Sequence, residues 1–236
     1  MPDLHWTIPV ARWSCWPAIG SDSASSPDIG FIEPMVRRRL SSLSKSALKV
    51  AHDCVSDVPN ARIVFASRHG ELRRTAGILA DIEDGQPVSP TAFSLSVLNA
   101  MTGVFGIARG DISAAIAVSA GPATLGLALL EAHAQYVSDP TAPVLLVYAD
   151  EPADARFGTV ADEVDACALA ILLDAAAPAS LVCSHGPAGA LPAPAGDMAT
   201  QSRAVLHCLS SRSSSAWQHT GGTWAWQWRE GAWQPH

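Results

Sequence analysis

The residue of this 236-residue chain best suited to nucleophilic chemistry is Ser119. It lies in the segment Ala117-Val118-Ser119-Ala120-Gly121, a variant of the G-x-S-x-G nucleophile elbow with alanine at the first glycine. A serine hydrolase also needs a downstream acid and a histidine. The candidates are Asp150, Asp165, His185 and His207. Both histidines lie in or after a segment rich in Gly, Pro and Ala that would not hold an imidazole rigidly. A serine esterase-like hydrolase using Ser119 is therefore kept as an alternative.

The residues around Ser119 predict a strand, a tight turn and an amphipathic helix over residues 111–134. Residues 112–118 are apolar or small and carry no charge, which is typical of a strand covered on both faces. Pro122 suits the first helical position, where its missing N–H costs nothing. Leu125, Leu129 and Ala132 then recur at helical spacing. Many α/β enzymes place a nucleophile at such an elbow.

The remaining chain alternates apolar strands with helical segments. Strands are predicted at residues 62–67, 143–149 and 167–173, with residues 180–183 beside the last, and helices at residues 35–55, 71–83, within 93–107 and at 200–209. This alternation predicts an α/β fold with a mostly buried central sheet and helices on both faces. Residues 1–184 form the main domain in this interpretation, and residues 185–236 form a Gly/Pro/Ala linker and a Trp-rich tail. The tail resembles a hairpin that covers either this chain's own core or another surface.

Composition excludes several classes of function. The formal net charge of −7 argues against a nucleic-acid partner. No apolar run is long enough for a membrane span, and the N-terminal residues do not resemble a signal peptide, so we expect a cytoplasmic protein. Five scattered cysteines without CxxC spacing do not indicate a metal site. The sequence contains no phosphate loop or dinucleotide motif, and we expect no cofactor.

The order of the segments resembles the N-terminal half of a β-ketoacyl synthase, a condensing enzyme of the thiolase fold. Residues 40–50 (LSSLSKSALKV) resemble the early helix of that family, and residues 62–72 resemble the strand and turn before its dimer-contacting helix. Residues 89–110 (SPTAFSLSVLNAMTGVFGIARG) are similar to the SPFFVP-type segment and the small-residue helix after it. Residues 111–130 then coincide with the nucleophile elbow, usually T-A-C-S-S. The resemblance covers about residues 35–175 and implies the N-terminal half only of a thiolase-like layered α/β fold.

The resemblance implies that this chain is not an enzyme. Ser119 and Ala120 coincide with the Thr and Ala of the family elbow, Gly121 with the nucleophilic Cys, and Pro122 with the following Ser. Glycine has no side chain to attack a thioester, so no acyl-enzyme can form. The C-terminal half, which supplies two histidines in active members, is largely absent. Catalytic residues are therefore predicted to be none.

The pattern is similar to truncated chain-length-factor subunits of aryl polyene and xanthomonadin-type biosynthesis. This similarity implies a heterodimer with an active β-ketoacyl synthase, and contact with acyl carrier protein through that complex. In condensing enzymes the strand before the elbow pairs across the dimer axis. The corresponding interface residues here are Ile112, Ala114, Ile116 and Val118. An unpaired apolar edge would be an aggregation hazard, which a partner strand removes.

The same resemblance assigns the helix after residue 69 to the acyl tunnel of the partner. The residues expected to face the partner's growing chain are Leu72, Thr75, Ala76 and Leu79. Their bulk would set the chain length, because an extra methylene in a filled pocket costs about 1–3 kcal/mol. Two alternatives stay open: the stripe is ordinary core, or the chain is a non-catalytic homodimeric scaffold that binds acyl chains or a carrier protein.

Three polar residues near the predicted strand ends were given ordinary roles. His69, beside Gly70, is interpreted as a hydrogen-bonding residue of a turn. Asp150 and Glu151 follow an apolar strand and are expected to end it in solvent.

Overall fold

The computed structural model describes residues 3–19, 26–188 and 198–233 of the chain. Its elements in chain order are β1 (Leu4–Val10), β2 (Arg12–Trp16), α1 (Pro34–Arg37), α2 (Ser42–Val55), β3 (Arg62–Ala66), α3 (Leu72–Glu83), α4 (Pro90–Ser94), α5 (Ala100–Arg109), β4 (Ala115–Val118), α6 (Thr124–Ser138), β5 (Val144–Asp150), β6 (Cys167–Leu173), β7 (Ala179–Gly186), α7 (Gln201–Ser211), β8 (Ser214–His219) and β9 (Gly222–Glu230). Within these ranges no helix is both long enough and apolar enough to cross a membrane.

The central sheet has five strands in the order β2-β6-β5-β3-β4. β4, β3 and β5 run parallel, whereas β6 and β2 are antiparallel to their neighbours. Every residue of β5 is buried, as expected for an apolar strand in the middle of a sheet. β4 pairs only with β3 and is therefore one edge of the sheet.

Helices cover both faces of this sheet, which confirms the predicted α/β class. On one face α2 and α5 pack against Ile63, Phe65 and Leu145. On the other face α6 packs against Val64 and Leu146. The side chains of a strand alternate between faces, so β3 and β5 contribute to both apolar clusters. The core therefore lies in two layers, one on each side of the central sheet.

A second sheet, which the sequence analysis did not predict, lies beyond α6 and α7. It has four antiparallel strands in the order β1-β7-β9-β8. β7 was expected beside the 167–173 strand, and this expectation is wrong, because β7 pairs with β1 and β9 instead. Of the two alternatives for the Trp-rich tail, the structure shows the first: Trp224 and Trp226 are each 1% exposed and belong to this chain's own core.

The predicted division between residues 184 and 185 falls inside β7, which continues to Gly186. The segment expected as a linker, residues 185–196, begins with the buried His185, and residues 189–196 lie outside the described residues.

The single helix predicted at residues 35–55 is two helices. α1 ends at Arg37, and α2 begins after Ser41, whose hydroxyl accepts a hydrogen bond from the Ser44 backbone N–H at 3.0 Å. Serine is a favoured N-cap because its side chain satisfies an unpaired N–H of the first turn. The capping signal at Ser41 therefore prevails over the continuous apolar spacing.

Candidate functional site

The elbow between β4 and α6 contains no side chain that could act as a nucleophile at its tip. Gly121 has φ +60°, in the left-handed region that favours glycine, and it begins a short 3₁₀ turn that leads into α6 at Thr124. The Thr124 hydroxyl fastens the turn by accepting from the Ala120 N–H at 2.9 Å and donating to the Gly121 carbonyl at 2.7 Å. A nucleophile elbow places its nucleophile at the strained tip. Here that position belongs to Gly121, and Ser119 lies two residues before it.

Ser119 is exposed, and its hydroxyl donates to the backbone carbonyl of Arg68 at 3.1 Å. The acids considered for a triad have other partners: Asp150 binds the β3–α3 connection, and Asp165 binds Thr200 and Arg203. His185 is 3% exposed and packs against Trp224. Within the described residues, no hydrogen bond joins Ser119 to a histidine, so the geometry does not support a hydrolase.

Asp150 is buried, which contradicts the expectation that it ends β5 in solvent. It is 1% exposed, and its carboxylate accepts from the Ser67 hydroxyl at 2.9 Å, the Arg68 N–H at 2.7 Å and the His69 N–H at 3.0 Å. Burial raises the pKa of Asp150, and these hydrogen bonds oppose the increase. The end of a parallel strand brings the carboxylate to the chain reversal after β3. A sequence alone does not show that the partners are backbone N–H groups.

Two more acids fix this chain reversal from other sides. His69 Nε2 lies 2.7 Å from Glu163 Oε1, which confirms His69 as a hydrogen-bonding residue. Burial alone would raise the pKa of Glu163, but hydrogen bonds from the Val164 N–H and His69 lower it. Glu71 is 7% exposed and accepts from the Ser41 and Ser44 hydroxyls, each at 2.6 Å.

Helix α3 is largely outside the core. Ile78, which the predicted stripe omitted, is its one buried residue. Thr75 and Leu79 are exposed, with Leu79 at 59%. Leu72 and Ala76 are half-buried and line a groove of about 480 Å³ between α3 and residues 152–156. The alternative in which the whole stripe is core does not hold for Thr75 and Leu79.

The β4 edge is exposed rather than covered on both faces, as the apolar pattern had suggested. The Ile112 side chain is fully exposed, Ile116 is 36% exposed and Ala114 is exposed. Val118 is half-buried against the core. The expectation of burial is wrong because no element of the described chain covers this edge.

A wider apolar surface adjoins this edge in sequence. Ten large hydrophobic side chains are exposed in the described residues, and seven lie between residues 79 and 116: Leu79, Ile82, Phe93, Val97, Ile107, Ile112 and Ile116. We call these seven the 79–116 surface. Sequence analysis identified Leu79, Ile112 and Ile116 and missed the other four, which lie in segments read only as short helices.

Among the described residues, no group of three or more His, Cys, Asp or Glu side chains could hold a metal ion.

The chain was compared with known proteins. The family model "Beta-ketoacyl synthase, N-terminal domain" matches residues 11–229. A search of curated protein sequences found no match.

Three solved structures have a similar fold. A ketosynthase (ApeO) in complex with its chain length factor (ApeC) from Xenorhabdus doucetiae matches with a TM-score of 0.75 and 24% identity, over 94% of this chain and 99% of that chain. The ishigamide ketosynthase/chain length factor matches with a TM-score of 0.53 and 16% identity, over 74% of this chain and 65% of that one. A β-ketoacyl synthase from Burkholderia phymatum STM815 matches with a TM-score of 0.55 and 12% identity, over 71% of this chain and 52% of that one.

These likenesses agree with the layered α/β architecture described above and with the resemblance found in the sequence. The family model spans both sheets, from the start of β2 nearly to the end of β9. The chain therefore belongs to the β-ketoacyl synthase family, of which it carries the N-terminal domain.

Proposed function

We propose that this chain is a non-catalytic, chain-length-factor-type subunit that forms a heterodimer with an active β-ketoacyl synthase. In this role it stabilises the synthase and shapes its acyl tunnel during the assembly of a polyene or fatty-acid-like chain. Acyl carrier protein reaches this subunit through the complex.

The observation that carries the proposal is the exposed β4 edge with its apolar side chains. A sheet edge has unpaired N–H and C=O groups, and natural proteins usually protect such edges with charge, proline or a covering element. Residues 112–118 contain no charged side chain and no proline. Large contiguous apolar surface on a soluble protein indicates an interaction site. A partner strand at β4 would satisfy the edge and bury part of the 79–116 surface.

The elbow supports a partner that supplies the chemistry. Gly121 stands at the tip where a nucleophile would be, so two copies of this chain would not provide an acyl-enzyme. A heterodimer provides one active centre and uses this chain as its second wall. Two of the structures of similar fold are ketosynthase–chain length factor complexes, which agrees with that arrangement.

Helix α3 is the element proposed to reach the partner's tunnel. Leu72, Thr75, Ala76 and Leu79 are half-buried or exposed on it and are free to contact another chain. A partner tunnel closed by these side chains would change length with their volume, because close-packed pockets tolerate few extra methylenes.

The experiment is co-expression with the cognate β-ketoacyl synthase, followed by size exclusion with light scattering. We expect one heterodimer peak for the wild type. Ile112→Lys should weaken binding by at least about tenfold, because it removes an apolar contact and buries a charge. Ile112 is fully exposed in the free chain, so its replacement should leave the stability of the isolated subunit unchanged.

Val137→Lys is the matched control, since Val137 is an exposed apolar residue outside the 79–116 surface. A wild-type chain that elutes apart from the synthase, alone or as a homodimer, would contradict the proposal. Equal binding by Ile112→Lys and Val137→Lys would exclude the β4 edge from the interface.

A further inference from the structure

The segment between β3 and α3, residues Ser67–Gly70, is held at its centre by one buried carboxylate. Asp150 accepts from the Ser67 hydroxyl and from two successive backbone N–H groups, those of Arg68 and His69. The Ser67 hydroxyl in turn accepts from the Gly70 N–H at 2.8 Å. We call residues Ser67–Gly70 the β3–α3 turn. Three of its four N–H groups are thus bound by Asp150 directly or through Ser67.

The same turn is attached to the end of β4. The Ser67 N–H donates to the Val118 carbonyl at 3.1 Å, which continues the β3–β4 pairing by one residue. The Ser119 hydroxyl then donates to the Arg68 carbonyl at 3.1 Å. The last residues of β4 and the residues that lead into α3 are therefore joined directly.

A third set of contacts holds the outer side of the turn. The Arg68 guanidinium donates to the carbonyls of Ala161 and Asp162, and His69 binds Glu163. The turn is therefore fixed from β5, from β4 and from residues 161–163. All of these contacts are polar and directional, so they define an orientation rather than only a position.

Helix α3 depends on this attachment because it has little packing of its own. Ile78 is its one buried residue, and its N-cap residue, Glu71, makes no capping hydrogen bond. Instead, the Glu71 carboxylate binds the Ser41 and Ser44 hydroxyls and lies 3.3 Å from Arg74 Nε. Polar contacts at the N-terminal end of α3 therefore take the place of apolar burial along its length.

We propose that Asp150 and Ser119 are positioning residues of the partner interface, which set the direction of α3 relative to the β4 edge. The two elements proposed to meet the synthase leave the central sheet from neighbouring strands, and the Ser119–Arg68 hydrogen bond joins them. The serine at the degenerate elbow thus has a structural role in place of a chemical one. This inference rests on the proposed heterodimer for its functional meaning, whereas the hold on α3 is a property of the chain alone.

The test combines hydrogen exchange on the isolated chain with titration of the cognate synthase. Ser119→Ala removes one exposed hydroxyl–carbonyl hydrogen bond, and its matched control is Ser138→Ala, which removes the exposed Ser138–Gln135 bond at the far end of α6. We expect amides in residues 68–79 to exchange about two- to tenfold faster in Ser119→Ala, with those of β5 and β6 unchanged. The Kd for the synthase should rise by a similar factor, and Ser119→Thr, which keeps the hydroxyl, should restore both.

Asp150→Asn should have a larger effect on the same amides, because the amide group retains one acceptor oxygen and turns a donor toward the turn. If that variant does not fold, Ser119→Ala still decides the matter. Wild-type exchange rates in α3 of Ser119→Ala would overturn the positioning role whatever the binding data show. Faster exchange in α3 with no wild-type binding to the synthase would instead overturn the proposed function and leave the hold on α3 standing.

Discussion

Replacing Gly126 with alanine should destabilise the chain, although alanine is the better helix former. Gly126 lies in the first turn of α6, and a Cβ there would be 2.4 Å from Trp224 Cζ3 and 2.8 Å from Gln201 Nε2. Both neighbours are buried, at 1% and 5% exposure, so neither can move into solvent. Overpacking of this kind costs about 1–3 kcal/mol, and the helix preference for alanine returns about 1 kcal/mol. Because the contact requires a shift of about 1 Å in a tryptophan ring, we expect the upper part of that range.

The net loss should be about 1–2 kcal/mol of unfolding free energy, or about 2–8 °C in Tm for a chain of this size. Urea unfolding followed by tryptophan fluorescence and circular dichroism would measure it. Gly103→Ala is the control, because Gly103 lies within α5 and a Cβ there has nothing within 4 Å. That variant should gain about 0.5–1 kcal/mol. A Gly126→Ala chain as stable as Gly103→Ala would refute the packing of the β8–β9 hairpin against α6.

Three further outcomes are expected. Ala76→Phe or Thr75→Phe should shorten the products of the heterodimer, measured by mass spectrometry, and unchanged lengths for both would exclude α3 from the tunnel. Burial raises the pKa of Asp150, so its stabilising contribution is complete below about pH 3.9 and is lost as the pH rises through the folded-state pKa. The unfolding free energy of the wild type relative to Asp150→Asn should therefore decline as the pH is raised, whereas the lowered pKa of Glu163 predicts a decline relative to Glu163→Gln as the pH falls below about 4.3. Burial raises the pKa of all five cysteine thiols, so a disulfide reagent at neutral pH should label them rapidly only after denaturation.

The central sheet could be predicted from the sequence because its strands are unbroken apolar runs. Residues 143–149 and 167–173 contain no charged side chain, and the structure has β5 and β6 there. The second sheet was missed because its strands mix tryptophan with polar residues, as in β9, and pair over long separations along the chain. Local periodicity does not encode which distant strand is the partner.

The site was predictable only where a residue type decides the chemistry. Gly121 lacks a side chain whatever its surroundings, so the missing nucleophile is visible in the sequence. Asp150 was misread because an acid after an apolar strand usually meets water, and its partners here are backbone N–H groups that have no residue signature. The run at residues 112–118 correctly signalled apolar surroundings, but this chain does not supply them.

The second sheet also determines when the chain can fold during its synthesis. β1 is the first strand to leave the ribosome, and its pairing partner, β7, follows only after residue 178. β7 in turn is completed by β9, which ends at Glu230. Trp6 and Ile8 therefore have no sheet to join until nearly the whole chain has been made, and such long-range pairing is slow. A nascent chain with these residues uncovered is a natural client for chaperones, so the yield of this subunit should depend on them more than that of a protein built from local contacts.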